Sequence, residues 1–171
     1  MAKPAIEYEI RAVTRAEAEA WRTLRLEMLR DEPLAFSSSI EDQIDRDLSF
    51  FEHRIPTGGV DVLFGVYVDG ELCGSAGFSQ EQDLKLRHKG VMWSVYLRPH
   101  LRGSGVAEAL VRRVIEHARR YVAQLLCAVS ADNPRARRLY ERLGFRQYGV
   151  EPRALRIDGE DHDEVLLVII F

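Results

Sequence analysis

Apolar and polar positions alternate along the first part of the chain, then change period several times. Ile6 to Val13 alternates with the two-residue period of a strand. Thr14 and Glu17 have the spacing of a capping box, and Ala18, Trp21, Leu24, Leu26, Met28 and Leu29 follow as a helical apolar stripe. This predicts a helix running to about Arg30 and halted by Pro33. Ser39 with Asp42 predicts a second helix start, leading towards His53. Past the breaker cluster Pro56, Gly58 and Gly59, Val62–Val68 and Leu72–Phe78 read as strands around Asp69-Gly70, a two-residue hairpin signal. Gly90–Leu97 is a third strand, ending where Arg98 precedes Pro99.

From Gly105 the period turns helical. Val106, Ala107, Leu110, Val111, Val114, Ile115 and Ala118 share one face. Leu125–Val129 is a short, continuously apolar strand. Asn133 caps a further helix with Pro134 in its first position; Ala136, Leu139, Tyr140 and Leu143 form its inner face and Gly144 ends it. Two strands around Asp158-Gly159 close the pattern with the apolar run Val165–Phe171. Strand, two helices, three strands, helix, strand, helix, two strands is the order of a mixed α/β sheet carrying helices. No repeat or low-complexity tract divides residues 1–171, which are expected to form one domain.

Composition adds limits. The 171 residues are 46% apolar and 30% charged, with a formal net charge of −3, so no global basic field recruits nucleic acid. No apolar run reaches the roughly 20 residues of a membrane span, and Met1–Arg11 lacks a signal-peptide pattern. A cytoplasmic protein without a membrane partner is expected. Cys73 and Cys127 both lie in apolar strand-like runs and read as buried thiols. The five histidines are scattered without ligand spacing, so no metal is expected.

The stretch V-Y-L-R-P-H-L-R-G-S-G-V-A-E-A-L, Val95 to Leu110, is the most informative. A strand ends, a glycine-containing loop follows and an amphipathic helix starts. Glycines let a ligand approach bare backbone, and a helix N-terminus offers unpaired N–H groups to a phosphate. Arg102 places a further cation at the loop entrance. A P-loop would need Lys-Ser or Lys-Thr after the last glycine, where Val106-Ala107 stands; a dinucleotide fingerprint would need glycine at Glu108. Glycines opening a helix for steric reasons alone remain the plainer alternative.

Arg102, Gly105 and Ala107 at a strand-to-helix junction, with N-P-R-A-R-R-L-Y-E-R-L-G-F from Asn133 to Phe145 one helix and one strand later, resemble the two main motifs of the GNAT superfamily of N-acetyltransferases. The resemblance implies a single-domain fold with a central, mostly antiparallel sheet of about seven strands and helices on both faces. It implies acetyl-CoA as acyl donor and a primary amine as acceptor. Backbone amides of Arg102, Gly103, Ser104, Gly105, Val106 and Ala107 would cradle the CoA pyrophosphate. Val95, Tyr96 and Leu97 would splay from Leu125–Val129 and pair with the pantetheine arm, and Asn133 would contact that arm. Tyr140 would protonate the departing thiolate. Otherwise Asn133 is simply a helix cap and Tyr140 a core residue.

No general base is assigned: Val91–Leu97 contains no carboxylate, and Glu81, Asp83, His88, the acidic loop Gly159–Glu164 and a water held by Ser94 all stay open. The acidic loop reads either as a solvated hairpin end or as a mouth that attracts a cationic amine. A small-molecule amine, a protein N-terminus or lysine, and acyl-CoA sensing without turnover are the competing functions. A homodimer is left open.

Overall fold

The computed structural model describes residues 6–171; the first five residues of the expected domain lie outside the described residues. Eleven principal elements follow in order: β1 Glu9–Ala12, α1 Ala18–Asp31, α2 Leu48–Glu52, β2 Val62–Val68, β3 Glu71–Gln80, β4 Lys89–Leu97, α3 Val106–Ala118, β5 Gln124–Ser130, α4 Pro134–Arg142, β6 Arg146–Ile157 and β7 Glu160–Ile170. They build one seven-stranded sheet in the order β1-β2-β3-β4-β5-β7-β6. Every neighbouring pair is antiparallel except β4 and β5, which α3 joins as a crossover.

Alternation along the strands divides the interior into two cores. Leu63 and Tyr67 of β2, Leu72 of β3 and Tyr96 of β4 pack with Trp21, Leu24, Met28 and Phe51 of α1 and α2. Phe64, Val66, Phe78, Met92 and Leu97 face the other way, onto Leu110, Val111, Val114 and Tyr140 of α3 and α4. Helices therefore cover both sheet faces, as the resemblance implies. Both Asp-Gly pairs form hairpin turns with positive φ at each residue, +49° and +80° at Asp69-Gly70, +51° and +84° at Asp158-Gly159.

One expected element falls elsewhere. Ser39 and Asp42 do exchange capping bonds, Ser39 N to Asp42 Oδ2 at 2.8 Å and Asp42 N to Ser39 Oγ at 3.3 Å, but no helix follows. The segment 40–46 is polar and largely exposed, with only Gln43 buried, so no apolar stripe repays nucleation. The helix begins six residues beyond the expected start's first turn, after Asp47, whose carboxylate accepts from Phe50 N at 3.1 Å.

An ion-pair cluster ties α1 to the end of β4. Arg98 grips Glu27 at 3.0 Å through both Nε and Nη2 and reaches Glu71, and the Tyr96 hydroxyl lies 3.2 Å from both Glu27 and Asp31. Arg98 and Glu27 are each about one-fifth exposed, so removing one of them strands the other's charge in a largely desolvated place. Glu27→Ala is expected to lower stability by about 2 kcal/mol, read as a melting-temperature fall of about 4–8 °C. An unchanged melting temperature would show that the cluster holds nothing together.

Candidate active site

The loop between β4 and α3 is built to present amides. A short 3-10 turn at Pro99–Leu101 uses the Arg102 N–H, which donates to Pro99 O at 3.1 Å. Gly103 and Gly105 then adopt φ of +75° and +88°, the left-handed region that glycine enters without strain. After them, none of the N–H groups of Gly103, Ser104, Gly105, Val106, Ala107 and Glu108 has an acceptor among the described residues. Six orphan donors at the positive end of a 13-residue helix suit a diphosphate. Arg102 does not offer a free cation. Its Nε donates to Leu97 O at 2.9 Å and its Nη1 meets Glu32 at 2.7 Å. Backbone amides, rather than that guanidinium, are the anion-binding feature of the loop.

Beside the loop the sheet splits. β4 and β5 pair only over Lys89–Val91 and Gln124–Leu126. Beyond that point the β4 edge facing β5 carries no ladder, leaving its backbone groups to a guest. On its other edge β4 stays paired with β3 but bulges: Ser75 opposes Tyr96 and Gly77 opposes Trp93, so Ser94 and Val95 together face Ala76. Ser94 sits at φ +50°. Ser75 Oγ donates to its carbonyl at 2.9 Å, and Arg25 Nη1 donates to its hydroxyl at 2.9 Å. Val95 lines the split, whereas the side chains of Tyr96 and Leu97 enter opposite cores, so only their backbone can serve a ligand there.

The split opens a cavity of about 440 Å³. Ala136 and Tyr140 of α4 line it with the α4 cap Asn133, as do Arg25, Phe36 and Arg54, and Glu164 of β7. Asn133 caps α4 by accepting from Ala136 N at 3.0 Å, so its oxygen is occupied locally. Tyr140 packs its ring 5.7 Å from that of Phe145, and its hydroxyl has no partner among the described residues. Burial, with Cys127 adding a smaller effect, raises the phenol above its ordinary range. Cys73 and Cys127 are both free and buried; desolvation pushes the Cys127 thiol up to about 12, which keeps it protonated and poorly nucleophilic. Native protein should therefore react slowly with a thiol reagent at pH 8, and unfolded protein with two equivalents, without prior reduction. Fewer than two thiols after unfolding would contradict this placement.

The acidic loop divides its carboxylates. Asp161 pairs with Arg156, Asp163 accepts from Arg153 N at 2.8 Å, and Asp132 meets His162 at 2.9 Å. Glu164 alone reaches the cavity, between Ser130 of β5 and Glu151 of β6. Burial and then Glu151 raise its carboxyl above the ordinary value. Glu81 lines a second cavity of about 320 Å³ with Leu86, Lys89 and Tyr148, which adjoins the first at Val91, Cys127 and Ala128, while Asp83 and His88 are exposed on the β3–β4 connection. Among the described residues no group of three or more His, Cys, Asp or Glu is placed to hold a metal, and no helix is long and apolar enough to cross a membrane.

A mixed sheet opened at its one parallel pair, with orphan amides at the opening, is the framework of an acetyltransferase fold. The chain matches the model of the Acetyltransferase (GNAT) family over residues 20–145 and belongs to that family. Solved structures agree along nearly the full length. An acetyltransferase of the GNAT family from Streptococcus pneumoniae superposes with a TM-score of 0.83 at 20% identity, covering 96% of this chain and 100% of that one. The protein yncA of Salmonella typhimurium, solved with its cofactor acetyl-CoA, gives 0.79 at 20% identity over 96% and 94%. A ribosomal-protein-alanine N-acetyltransferase from Brucella melitensis gives 0.78 at 22% over 95% and 99%. At these identities the likeness is one of fold. Among curated proteins, none matches the sequence.

Proposed function

We propose that residues 1–171 form a single N-acetyltransferase domain that moves the acetyl group of acetyl-CoA directly to the primary amine of a small molecule. The observation that carries this reading is the Tyr140 hydroxyl, unpartnered and facing the cavity where β4 leaves β5. The residues present suit the donor. Six free amides meet a diphosphate, an unpaired strand edge meets an amide-bearing arm, and a cavity of about 440 Å³ is of small-ligand size.

Acetyl-CoA supplies an activated thioester, and the chain supplies position and protons. Glu164 takes a proton from the acceptor ammonium. The freed nitrogen forms a bond to the acetyl carbon, and the carbon–sulfur bond breaks. Unpaired β4 amides past Val91 stabilise charge on the carbonyl oxygen. Tyr140, kept protonated by its raised pKa, gives its proton to the sulfur as charge develops there, and solvent restores it. Incubation with acetyl-CoA and a panel of primary amines should release free CoA and an equal amount of N-acetyl product. Stoichiometric acetyl-CoA binding with no CoA release across the panel would favour a sensor and overturn the reading.

Glu164 gives a prediction with a definite sign. If it is the base, kcat/KM rises with pH through its elevated pKa, and Glu164→Gln loses that limb and about 10²-fold of kcat/KM at neutral pH. Stability should move oppositely. A carboxyl whose folded pKa is raised contributes fully below its unfolded value near 4 and loses that contribution as pH rises through the folded value. Glu164→Gln should therefore raise the melting temperature at pH 7, with the gain vanishing below about pH 4. A pH–rate profile unchanged by the substitution would remove Glu164 from the mechanism.

A further inference from the structure

The cavity's charge is not balanced by the chain itself. Arg25 sits in the middle of α1 and is 7% exposed, yet every partner of its guanidinium is neutral. Nε donates to Gln43 Oε1 at 3.2 Å, and Nη1 to Ser94 Oγ at 2.9 Å with Met28 Sδ at 3.5 Å. Its plane also lies 5.3 Å from the Phe36 ring. A second guanidinium, Arg54, lines the same cavity from the segment after α2, and it too forms no ion pair among the described residues. Arg11, Arg98 and Arg102 are treated differently, each holding a carboxylate.

A buried cation facing neutral partners and a like charge is unfavourable unless something else neutralises it. Burial and Arg54 together lower the Arg25 pKa to about 10, so it remains charged at neutral pH. Glu164 does not answer the charge. Its shift comes from burial and Glu151, that of Arg25 from burial and Arg54, and neither moves the other. Both signs line one cavity without an ion pair between them among the described residues, and Arg25 reaches the Ser94 bulge.

We propose that the acceptor is an amino acid or a close analogue, an amine that also carries an anionic group, with its carboxylate on Arg25 and Arg54 and its amine towards Glu164. This rests on the transferase reading and names its substrate class. Arg25 is the specificity determinant: Gln43, Ser94 and Phe36 hold its guanidinium in place through Nε and Nη1, so the cation is set before the acceptor arrives and Nη2 is left to meet a carboxylate. The anion could also belong to the acyl chain of a donor such as succinyl-CoA, and the test separates the two sources.

The test compares kcat/KM for L-amino acids and ω-amino acids with that for their carboxamides, using acetyl-CoA as donor. For the best member of the panel, the carboxylate form should be preferred by about 10²-fold, the size expected when a buried charged site loses its hydrogen-bonded partner. Arg25→Met should collapse that ratio towards one, and Arg25→Lys should restore part of it. Because Arg25 is buried, the exposed Arg54→Ala provides a variant that keeps the core intact and should reduce the ratio by about threefold to tenfold. A wild-type ratio near one overturns the proposal while leaving the transferase reading standing. Preference for succinyl-CoA over acetyl-CoA with neutral amines would move the anion to the donor and equally overturn it. If no amine is turned over, the melting temperature in CoA plus each carboxylate or carboxamide still decides. A shift selective for carboxylates and lost in Arg54→Ala supports the anion site although catalysis fails; its absence overturns both.

Discussion

Tyr140→Phe should lower kcat by about 10² to 10⁴-fold and leave acetyl-CoA affinity nearly unchanged. The substitution keeps the ring against Phe145 and removes only the hydroxyl, which has no protein partner to lose. Stability should consequently hold, since the hydroxyl opens onto the cavity and no hydrogen bond within the described residues is lost. The combination is diagnostic: a core tyrosine would leave kcat alone and change only the melting temperature. Should kcat stay at the wild-type value, water becomes the acid and Tyr140 leaves the mechanism.

Gly105→Val should weaken acetyl-CoA binding by at least about tenfold to 10²-fold, the worth of one or two hydrogen bonds to a charged group. At φ +88° a β-branched residue is strained, and relief of that strain rotates the amides on either side of it. A side chain there meets nothing within 4 Å, so the strain is local and the fold should persist. Gly159→Val gives the matched control. Its φ of +84° and open surroundings impose comparable strain in the β6–β7 turn, far in sequence from the loop, and acetyl-CoA affinity should be unaffected. Calorimetry on both variants separates a ligand-binding loop from a merely strained one. Equal affinities would refute the pyrophosphate assignment.

The fold was legible because its local signals agree with one another. Asp69-Gly70 and Asp158-Gly159 each admit a turn that few other pairs tolerate, and the period changes at Gly105 and Asn133 coincide with helix starts. Ser39 and Asp42 show the limit: their capping bonds form, but capping without an apolar stripe makes a turn. The anion-binding loop was readable for the same reason as the turns, since glycine at positive φ leaves a mark in sequence.

Other parts of the cavity leave weaker marks. Ser94 bulges because β4 has one residue more than β3 between the Ser75–Tyr96 and Gly77–Trp93 pairs, a mismatch between strands that neither strand shows alone. Glu164 is one acid among several in Gly159–Glu164, and only its place on the cavity singles it out. Arg25 did leave a signal. It lies four residues after Trp21 and three before Met28, squarely on the buried stripe of α1, where an arginine is out of place. Its meaning, a cation without a counter-ion, needed the cavity around it.

The most direct test of the account is a crystal structure with acetyl-CoA and a slowly reacting amine. The predicted result places the pyrophosphate on the amides of Gly103–Ala107, the pantetheine arm between β4 and β5, and the sulfur within hydrogen-bond reach of the Tyr140 hydroxyl. Acetyl-CoA bound elsewhere, or a sulfur out of reach of Tyr140 with the amine nowhere near Glu164, would contradict it.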